Sequence, residues 1–552
     1  MSDRSATRPP APPVGPLGHR NFREIWFGSL LASLALMIAG VGAAWTMTLL
    51  TDSPQQVALV QSALMLPYLL FAMPAGAIAD SYDRRQIGMI ALGGAAFVNV
   101  LIVLVTVTDL MTPPLLLGLC FLLGIATSTY TPSWQSLVSE QVPGEVIPRA
   151  VTLNAISFNI ARSFGPAVGG AIVALAGAAA AFCVSTFLYM PMLAAFWRWK
   201  RVPEKPRLPP ERVGSAIVSG VRYIAHSAAL RSVIVRSFLY CSCLASIVGL
   251  MPLISKYALN GGPLVFGILL GSYGGGAVVG GLFIDQFRAR LGSAPVESGV
   301  TLTGIGVVVL AFCHNIWAAS IVLILIGAVW TQALTSLNVA VQIGAPRWVG
   351  GRALAAFQAT AAGGFAMGSW LGGYVAEQTS ISVTLGASGL TLVLLSIAGR
   401  WLKAAEDIPD PTASLREFDD PQIDLALTGR SGPIVIEIEF RVPKEEARGF
   451  YEAMLEIRLL RRRNGVSAWT LARDIGDAER WVERFHCPTW HDYLRHRSRL
   501  TAAELVLVTE ISDRYGIVGE TRITRLLERP VGSVRWRDDT PDRGQVPTGI
   551  IP

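Results

Sequence analysis

Long apolar runs fill the first 403 residues of the chain, and short polar turns separate them. A helix needs about 20 mainly apolar residues to cross the hydrocarbon core of a bilayer. Runs of this length predict that residues 1–403 contain an all-α membrane domain with twelve transmembrane helices. The predicted helices cover residues 23–50, 55–79, 86–108, 113–139, 147–176, 178–197, 232–257, 264–286, 296–313, 316–344, 350–376 and 381–402.

One stretch of this part occurs twice. Residues 143–170 read PGEVIPRAVTLNAISFNIARSFGPAVGG, and residues 346–373 repeat the pattern more loosely at an offset of 203 positions. Self-similarity at a fixed offset indicates two copies of one unit. We therefore predict two pseudo-symmetric six-helix halves, residues 21–198 and 232–403. Such halves are typical of secondary transporters, which hold the substrate near the membrane midplane between them.

Composition and charge support this interpretation. Only 15% of the residues are charged, whereas soluble proteins contain about 25%. Of the 24 Lys and Arg residues up to Lys403, 22 fall in the N-terminal tail or in loops assigned to one side of the membrane. Of the other two, Lys256 falls on the opposite side and Arg162 lies inside a predicted helix. This asymmetry predicts that both ends of the membrane part are cytoplasmic. The net charge of +7 thus reflects topology, and no nucleic-acid partner is expected.

The segments outside the apolar runs have their own character. Residues 1–20 are Pro-rich and basic and are predicted to be a disordered cytoplasmic tail. Residues 199–231 form a basic cytoplasmic linker between the halves. The second part of this linker has helical periodicity, and it either lies along anionic lipid or is a solvated linker helix.

The pattern changes after Lys403. Residues 404–432 read as a linker, and residues 433–517 as a cytoplasmic α+β domain of ferredoxin-like type, in the order strand, helix, strand, strand, helix. Residues 434–442 alternate with period two, and the following helix carries an apolar stripe. Its stripe consists of Phe450, Met454, Ile457 and Leu460. The helix from 489 to 515 is expected to break near Thr501. Residues 518–552 are predicted to be largely disordered, with a last strand around 533–536.

Two loops carry the same charged pattern. Gly76 and Asp80 stand one helical turn apart and precede Arg84 and Arg85. A carboxylate at a helix end can pair with an arginine or interact with a helix N-terminus, so the loop is a candidate conformational latch. The alternative is a purely topogenic charge pattern. The second half repeats the spacing with Gly281, Asp285, Arg288 and Arg290.

The fifth predicted helix contains the motif GPxxGG. Its members are Gly165, Pro166, Gly169 and Gly170. Proline bends a helix and glycines allow a neighbouring helix to approach closely. The motif therefore predicts a bent helix that packs closely against a neighbour.

Arg162 is the one charge deep inside a predicted helix. A charge at the bilayer centre costs roughly 3 kcal/mol on insertion scales, so it must face protein or water. Asn154 and Asn159 lie near the same helix face. Arg162 either lines the translocation path, where it would attract an anionic or carbonyl-rich substrate, or bonds to neighbouring carbonyls. Other path candidates, each with an interhelical hydrogen bond as the alternative role, are Tyr130, Gln135, Gln332, Asn338 and Gln358.

These motifs resemble the major facilitator superfamily. Gly76, Asp80, Arg84 and Arg85 match its loop motif, whereas Ser81 and Asp83 replace a basic residue and a glycine. The GPxxGG motif is similar to the helix-five motif of exporters in that superfamily, with Ala161 and Thr152 in place of upstream glycines. This resemblance implies that the motif seals one end of the cavity, and the alternative is that its glycines serve helix packing alone. The resemblance implies export by alternating access, driven by a proton gradient. We find no carboxylate well inside any predicted helix, so proton coupling follows from the resemblance and not from these residues.

The C-terminal domain narrows the resemblance. Residues 461–465, with Trp469, Trp490, Leu494, Arg495 and His496, are similar to the tail of the transmembrane secretion effector group, which is related to the enterobactin exporter. The resemblance implies export of a siderophore-like or antibiotic-like small molecule across the inner membrane.

Tails of this kind look like antibiotic-biosynthesis monooxygenases. The domain is predicted to be either an enzyme or ligand sensor, or a packing or dimerisation module, and in the latter case the partner is a tail-domain homodimer. His491 and His496 point to different sides of a helix, so we expect no metal site with His486 and Cys487. A nucleotide-binding motif is absent from the sequence, and no cofactor is expected.

Overall fold

The computed structural model describes residues 15–81, 83–137, 141–143, 146–199, 213–283, 286, 295–401, 423–425, 427–498, 502–515 and 523–528. The chain forms two compact units. The helical unit comprises Met1–Val213, Val233–Val339 and Leu354–Ala404. The tail unit comprises Gly214–Ser232, Ala340–Ala353 and Ala405–Pro552. The second unit thus includes part of the central linker as well as the C-terminal residues.

Five long helices build the first half of the helical unit. They are α1 Arg20–Leu50, α2 Pro54–Ser81, α3 Arg84–Val107, α4 Pro113–Leu137 and α5 Ile147–Arg198. Helix α5 is interrupted at Gly177, whose φ of 81° is readily adopted by glycine alone among the common residues. The predicted break between residues 176 and 178 is confirmed.

The linker and the second half supply seven more helices. They are α6 Val213–His226, α7 Ala228–Leu253, α8 Pro263–Leu282, α9 Pro295–Leu310, α10 Ile316–Gly344, α11 Arg347–Gln378 and α12 Ile381–Trp401. A π-helical turn, Ile254–Ala258, extends α7. Within the described residues, 8 helices are long and apolar enough to cross a membrane. The unit is therefore a multi-helix membrane bundle.

Helix α5 is central to the packing of the bundle. It packs most extensively against α1 of its own half and against α8 of the other half. Small residues on these helices let their backbones approach closely, which is how helices associate where lipid removes the hydrophobic driving force. The packing places the middle of α5 between the two halves.

The tail unit contains a four-stranded antiparallel sheet. Its strands are β1 Ile434–Arg441, β2 Ser467–Arg473, β3 Arg480–Cys487 and β4 Ile523–Leu527. They are arranged in the order β2-β3-β1-β4. Helix α13, Ala447–Arg463, follows β1, and α14 Trp490–Ser498 and α15 Ala502–Tyr515 follow β3. The strand predicted at 434–442 is confirmed, whereas the predicted helix break near Thr501 lies outside the described residues.

The predicted alternation in β1 sets the core of the tail unit. Ile434, Ile436, Ile438 and Phe440 are buried on one side of the sheet. The predicted stripe of α13 is confirmed, because Phe450, Met454, Ile457 and Leu460 are all buried.

The expectation of a loose chain after residue 518 is wrong at β4. Ile523 pairs with Ile438 and Leu527 pairs with Ile434. The backbone hydrogen bonds of this strand come from a partner nearly 90 residues earlier in the chain, so its five residues carry no strong local signal. The strand predicted around 533–536 lies outside the described residues.

Candidate functional site

The GPxxGG motif joins the two halves. A Cβ atom on Gly170 would lie 2.6 Å from the carbonyl oxygen of Pro263 and 2.8 Å from Cα of Gly267. A Cβ atom on Gly267 would lie 2.7 Å from the carbonyl oxygen of Pro166. Real Cβ atoms do not approach other atoms so closely, so the seam between α5 and α8 requires glycine on both sides. Gly165 and Gly169 instead face Met37 and Ile38 of α1.

The second copy of the repeat makes matching contacts. A Cβ atom on Gly373 of α11 would lie 2.6 Å from Cβ of Ala58 and 2.9 Å from Cα of Gln55, both on α2. Gly368 and Gly372 instead face Ser242 and Ser246 of α7, in their own half. In both copies, the last glycine meets the opposite half, and the earlier glycines meet the first helix of their own half. Equivalent contacts of this kind are expected of halves related by a pseudo-two-fold axis.

Arg162 spans the interface between the halves at the middle of α5. Its Nη2 donates a hydrogen bond of 3.3 Å to Oγ1 of Thr331 on α10. Its guanidinium carbon lies 5.8 Å from the ring centroid of Tyr273 on α8. A cation near an aromatic face gains about 0.5–2 kcal/mol, depending on how far it is removed from water. Both of these contacts are with neutral groups, so neither compensates the charge of Arg162.

Gln332 lies next to Thr331 in sequence and is 1% exposed. Both polar atoms of its side-chain amide are buried without a hydrogen-bond partner in the described part of the chain. A buried polar group left in this state costs about 1–3 kcal/mol, so a water or a ligand commonly satisfies it. The sequence-predicted path residue Gln332 therefore lies beside the contact that Arg162 makes.

The other predicted path residues are less closely connected to Arg162. Asn154 is buried, Asn159 and Asn338 are half-buried, and Gln358 is exposed. The ring of Tyr130 stacks on Trp134 at a centroid distance of 6.4 Å, in the apolar core of the first half. Gln135 lies outside the residues whose side chains are described. Among the described side chains, the hydrogen bond from Arg162 to Thr331 brings Arg162 to the residue before Gln332, a second predicted path position.

Of the predicted latch in the first half, the structure describes the side chains that follow the loop, at Arg84 and Arg85. Asp83 caps the N-terminus of α3, because its Oδ1 accepts a hydrogen bond of 3.0 Å from the backbone N–H of Arg85. The Arg85 side chain donates hydrogen bonds of 2.5 and 2.7 Å to the carbonyl oxygens of Phe196 and Trp197 at the end of α5. Asp83, where the superfamily motif has glycine, thus has a structural role of its own. Arg84 is half-buried.

The remaining latch candidates lie outside the described residues. For Gly76 and Asp80 this applies to the side-chain environment, and for Asp285 and Arg288 to the whole residue.

At the opposite ends of the helices, a different set of contacts connects the halves. Asp52, between α1 and α2, accepts hydrogen bonds of 2.7 Å from the hydroxyl of Tyr257 and 3.2 Å from Nζ of Lys256. The bond from Tyr257, followed by the bond from Lys256 and its charge, lowers the pKa of the Asp52 carboxyl. Lys256 also donates to the carbonyl oxygen of Thr48 at 3.0 Å.

Glu377 adds a second connection at the same end. Its Oε2 accepts hydrogen bonds of 2.5 Å from the Ser53 hydroxyl and 3.2 Å from the backbone N–H of Gln55. A carboxylate at the start of α2 is also favourably placed in the field of the helix. We call Asp52, Ser53, Lys256, Tyr257 and Glu377 the outer clasp. Sequence reasoning missed it, because its partners are far apart in the chain and no local motif marks them.

A buried ion pair lies in the second half. Arg236 of α7 pairs with Glu297 of α9, and their side chains are 6% and 5% exposed. The ring of Tyr240 lies 5.9 Å from the guanidinium carbon of Arg236. The sequence analysis expected Arg162 to be the one charge deep inside a helix, and this expectation is wrong, because Arg236 lies buried within α7. Glu297 is the third residue of α9, yet the packing of neighbouring helices buries it.

The signature residues of the tail unit form a buried network. Arg461 donates hydrogen bonds of 3.1 and 3.3 Å to the two carboxylate oxygens of Glu483. The indole N–H of Trp469 donates to Glu483 at 2.8 Å, and Nη1 of Arg461 lies 3.2 Å from Nε2 of His496. Arginine can only donate, so Nε2 of His496 is the acceptor and carries no proton. Arg461, Trp469 and His496, which were noted as a sequence pattern, thus meet on a carboxylate that was not noted.

The residues weighed as metal ligands contact different partners. His496 joins the network around Arg461, whereas His486 lies 3.5 Å from Glu528. The backbone N–H of His491 donates to the carbonyl oxygen of Gly429 at 3.0 Å. Burial raises the pKa of the Cys487 thiol to about 12, which disfavours the thiolate that a metal would need.

Comparisons with known proteins identify a family and several transporters that this chain resembles. Residues 11–531 match a family model described as transmembrane secretion effector. The staphyloferrin A transporter of Staphylococcus aureus (strain NCTC 8325 / PS 47) is 23% identical over 67% of this chain and 93% of its own length. The multidrug efflux pump Tap of Mycobacterium tuberculosis (strain ATCC 25618 / H37Rv) is 24% identical over 73% of this chain and 96% of its own.

Solved structures show the same fold. A bacterial homolog of the human lysosomal transporter Spinster, in an inward-facing and occupied conformation, superposes with a TM-score of 0.56 at 12% identity. The match covers 70% of this chain and 97% of that chain.

Proposed function

The chain belongs to the transmembrane secretion effector family of the major facilitator superfamily, and from that premise we propose that it exports a siderophore-like or antibiotic-like small molecule by alternating access and proton antiport. We place it in the inner membrane with both termini cytoplasmic. Twelve transmembrane helices would form its two halves, with α5 supplying one helix on either side of Gly177. The relatives named for siderophore transport and multidrug efflux support export.

The contacts between the halves support alternating access. Both copies of the glycine motif hold a helix of the opposite half, and the outer clasp joins the loop between α1 and α2 to α7 and α11. By the predicted topology these loops face away from the cytoplasm. The conformation is then closed on the outside, and export requires the clasp to open.

Arg162 carries the proposal for the substrate site. Its guanidinium group contacts two neutral groups of the second half, Thr331 and Tyr273, and Thr331 is followed in the chain by Gln332, whose side-chain amide is buried without a partner in the described part of the chain. A carboxylate or another oxygen-rich anion would bind it more strongly than a hydroxyl does, because both partners would then be charged. We propose that such a substrate displaces Thr331 from Arg162.

Glu297 is our candidate for the coupling carboxylate. Among the described residues of the helical unit it is the only buried carboxylate. A proton on Glu297 would leave the buried guanidinium of Arg236 without its charged partner. Protonation would therefore require Arg236 to move, and this requirement links proton binding to conformation.

The tail unit has a strand order typical of a ferredoxin-like domain. We propose that it is a packing or dimerisation module, because its buried polar groups Arg461, Glu483 and Trp469 bond to one another. The alternative is a monooxygenase-like or ligand-sensing domain. One observation favours it, because the side-chain amide of Asn464 is 2% exposed and makes no hydrogen bond within the described residues.

Transport assays with Arg162→Ala test the substrate site. Uptake of radiolabelled siderophores and antibiotics would be measured one compound at a time in inside-out vesicles. The Arg198→Ala variant is the control. Arg198 is an exposed arginine at the end of the same helix. We expect Arg162→Ala to abolish uptake with normal insertion, and Arg198→Ala to retain it. Equal uptake by both variants would remove Arg162 from the site, and growth of cells on the same panel would identify the substrate.

A further inference from the structure

Helix α6 occupies a special place in the linker between the halves. It ends at His226, and α7, which is apolar enough to cross a membrane, begins at Ala228. Only Ser227 separates the two helices. In the proposed topology, the C-terminal end of α6 is therefore placed at the cytoplasmic surface of the bilayer, where α7 enters it.

One face of α6 is already covered by the C-terminal part of the tail unit, to which α6 itself also belongs. Tyr223 is 3% exposed, and its ring lies 5.2 Å from the guanidinium carbon of Arg463 at the end of α13. Arg463 in turn pairs with Glu504 of α15. Burial raises the pKa of the Tyr223 phenol to about 12, so the ring stays neutral.

Gly220 packs on the same face of α6. A Cβ atom added there would lie 3.1 Å from Cβ of Arg352, in the first turns of α11. Tyr223 and Gly220 thus fix the orientation of the helix about its axis.

The opposite face of α6 is apolar and exposed. Val218 is 60% exposed and Val221 is 49% exposed, and Ala225 is also exposed. Residues three and four positions apart share one face of a helix, so these three side chains form a single strip. The strip lies nearly opposite Gly220 and Tyr223 on the helical wheel.

The charge of the linker indicates what covers this strip. Residues 199–212 contain five basic and two acidic residues. The basic residues are Lys200, Arg201, Lys205, Arg207 and Arg212. A second copy of the linker would repel this charge, whereas the anionic lipids of the cytoplasmic leaflet attract it. An apolar strip beside a basic segment is the pattern of helices that lie in the plane of the interface.

We propose that α6 binds the anionic cytoplasmic leaflet through Val218, Val221 and Ala225. The lipid surface and the rest of the tail unit then hold opposite faces of one helix. Arg463, from the arginine-rich end of α13, is a residue through which the C-terminal part of the tail unit contacts this membrane-bound helix. The proposal rests on the proposed topology, in which the linker is cytoplasmic.

Lipid quenching in the full-length protein tests the proposal directly. An environment-sensitive fluorescent amino acid would be placed at Val221 and, as a control, at Ile475, which is fully exposed on a hairpin of the tail unit. The protein would be reconstituted in phosphatidylcholine vesicles with and without phosphatidylglycerol, and quenched with acyl-chain-brominated lipid. We expect at least threefold stronger quenching at Val221 than at Ile475, with a further increase when phosphatidylglycerol is present.

Other outcomes would overturn the proposal. Equal quenching at both positions would mean that the strip faces water. Equal quenching at Val221 with and without phosphatidylglycerol would show that α6 does not bind anionic lipid specifically. A blue-shifted but unquenched probe whose signal disappears on dilution into excess lipid would indicate a second copy of the chain.

A double variant tests the role of the apolar strip without changing the residues that pack α6 against the protein. Val218→Glu with Val221→Glu leaves Tyr223 and Gly220 in place, and a probe at Ala225 should then lose most of its quenching. Retained quenching would contradict the role of the strip. None of these measurements depends on transport, so a failed export assay and a failed lipid assay are distinguishable.

Discussion

Two buried arginine–glutamate pairs in this molecule resemble each other in composition and differ in their surroundings. In the helical unit, Arg236 and Glu297 have side chains 6% and 5% exposed, with the ring of Tyr240 beside the guanidinium. In the tail unit, Arg461 and Glu483 are 7% and 1% exposed, and Trp469 and His496 add two further hydrogen bonds.

This difference matters because burial of a pair is favourable only when other groups satisfy the remaining donors and acceptors. Two further elements, β2 with Trp469 and α14 with His496, supply such groups to the tail pair, which is therefore suited to fix one structure. The helical pair has fewer partners and is suited to change them. The comparison therefore separates a structural network from a group that can take part in a conformational cycle.

The largest expected effect is a loss of stability when the hydrogen-bond network around Arg461 and Glu483 is broken. Arg461→Ala would leave Glu483 as an uncompensated buried charge, and such losses typically destabilise a protein by about 3–5 kcal/mol. We expect a matching loss of hydrogen-exchange protection in β1 and β3 of the full-length protein. Arg462→Ala, at the exposed neighbouring position, is the control and should have little effect. Unchanged protection in Arg461→Ala would show that the network is not structural.

The next effect concerns the pair in the helical unit. Glu297→Gln alone would leave Arg236 buried and unpaired, with an expected loss of about 3 kcal/mol, at the lower end of the range for broken buried pairs, because the Tyr240 ring remains beside it. The double variant Arg236→Gln with Glu297→Gln removes both charges and should recover the yield of folded protein.

Transport by the double variant sharpens the comparison. We expect it to retain substrate exchange across vesicles and to lose accumulation driven by a pH gradient. Accumulation equal to that of the natural protein would exclude Glu297 as the coupling carboxylate. If the natural protein itself ignores the pH gradient, proton antiport is wrong, whatever the variant does.

A smaller effect is expected for an exposed pair on the sheet. Nε of Arg484 donates to Glu437 at 2.7 Å, and their side chains are 55% and 20% exposed. Arg484→Ala should change the stability of the tail unit by at most about 1 kcal/mol, because water solvates both charges when the pair is broken. A loss as large as that of Arg461→Ala would mean that burial is not what distinguishes the pairs.

The smallest effect is expected for the outer clasp under changes of pH. The pKa of Asp52 is lowered, so the stabilisation from its ionised form is present above the unfolded value of about 3.9 and is lost only as the pH falls through the lower folded value. Distances between spin labels at Leu49 and Leu264 should therefore not change between pH 8 and pH 5. Asp52→Asn should lengthen them, and opening at pH 5 in the natural sequence would point to another titrating group.

Local signals in the sequence predicted much of the fold. The apolar runs located most helices, Gly177 marked the interruption of α5, and the stripe from Phe450 to Leu460 marked the buried face of α13. The motif glycines were identified as close-packing positions, because glycine is informative wherever two backbones meet. Each of these features depends on neighbours within a few residues.

Other features depend on contacts that are distant in the chain. β4 exists as a strand because β1 supplies its hydrogen bonds, and Glu377 matters because Ser53 and Gln55 lie against it. Glu297 stands near a helix end, where sequence reasoning expects exposure, yet α7 buries it against Arg236. No pattern within either segment identifies the partner.

The sequence by itself determined the membrane-spanning runs, the duplication, the charge asymmetry and the alternating strand of the tail, because hydrophobic periodicity and charge act on each segment separately. Only the tertiary structure decided which polar groups meet. Arg162 reaches Thr331, Arg236 reaches Glu297, and Arg461 divides its hydrogen bonds between Glu483 and His496. Hydrogen bonds and ion pairs act over a few ångströms, so their partners are set by packing and not by position along the chain.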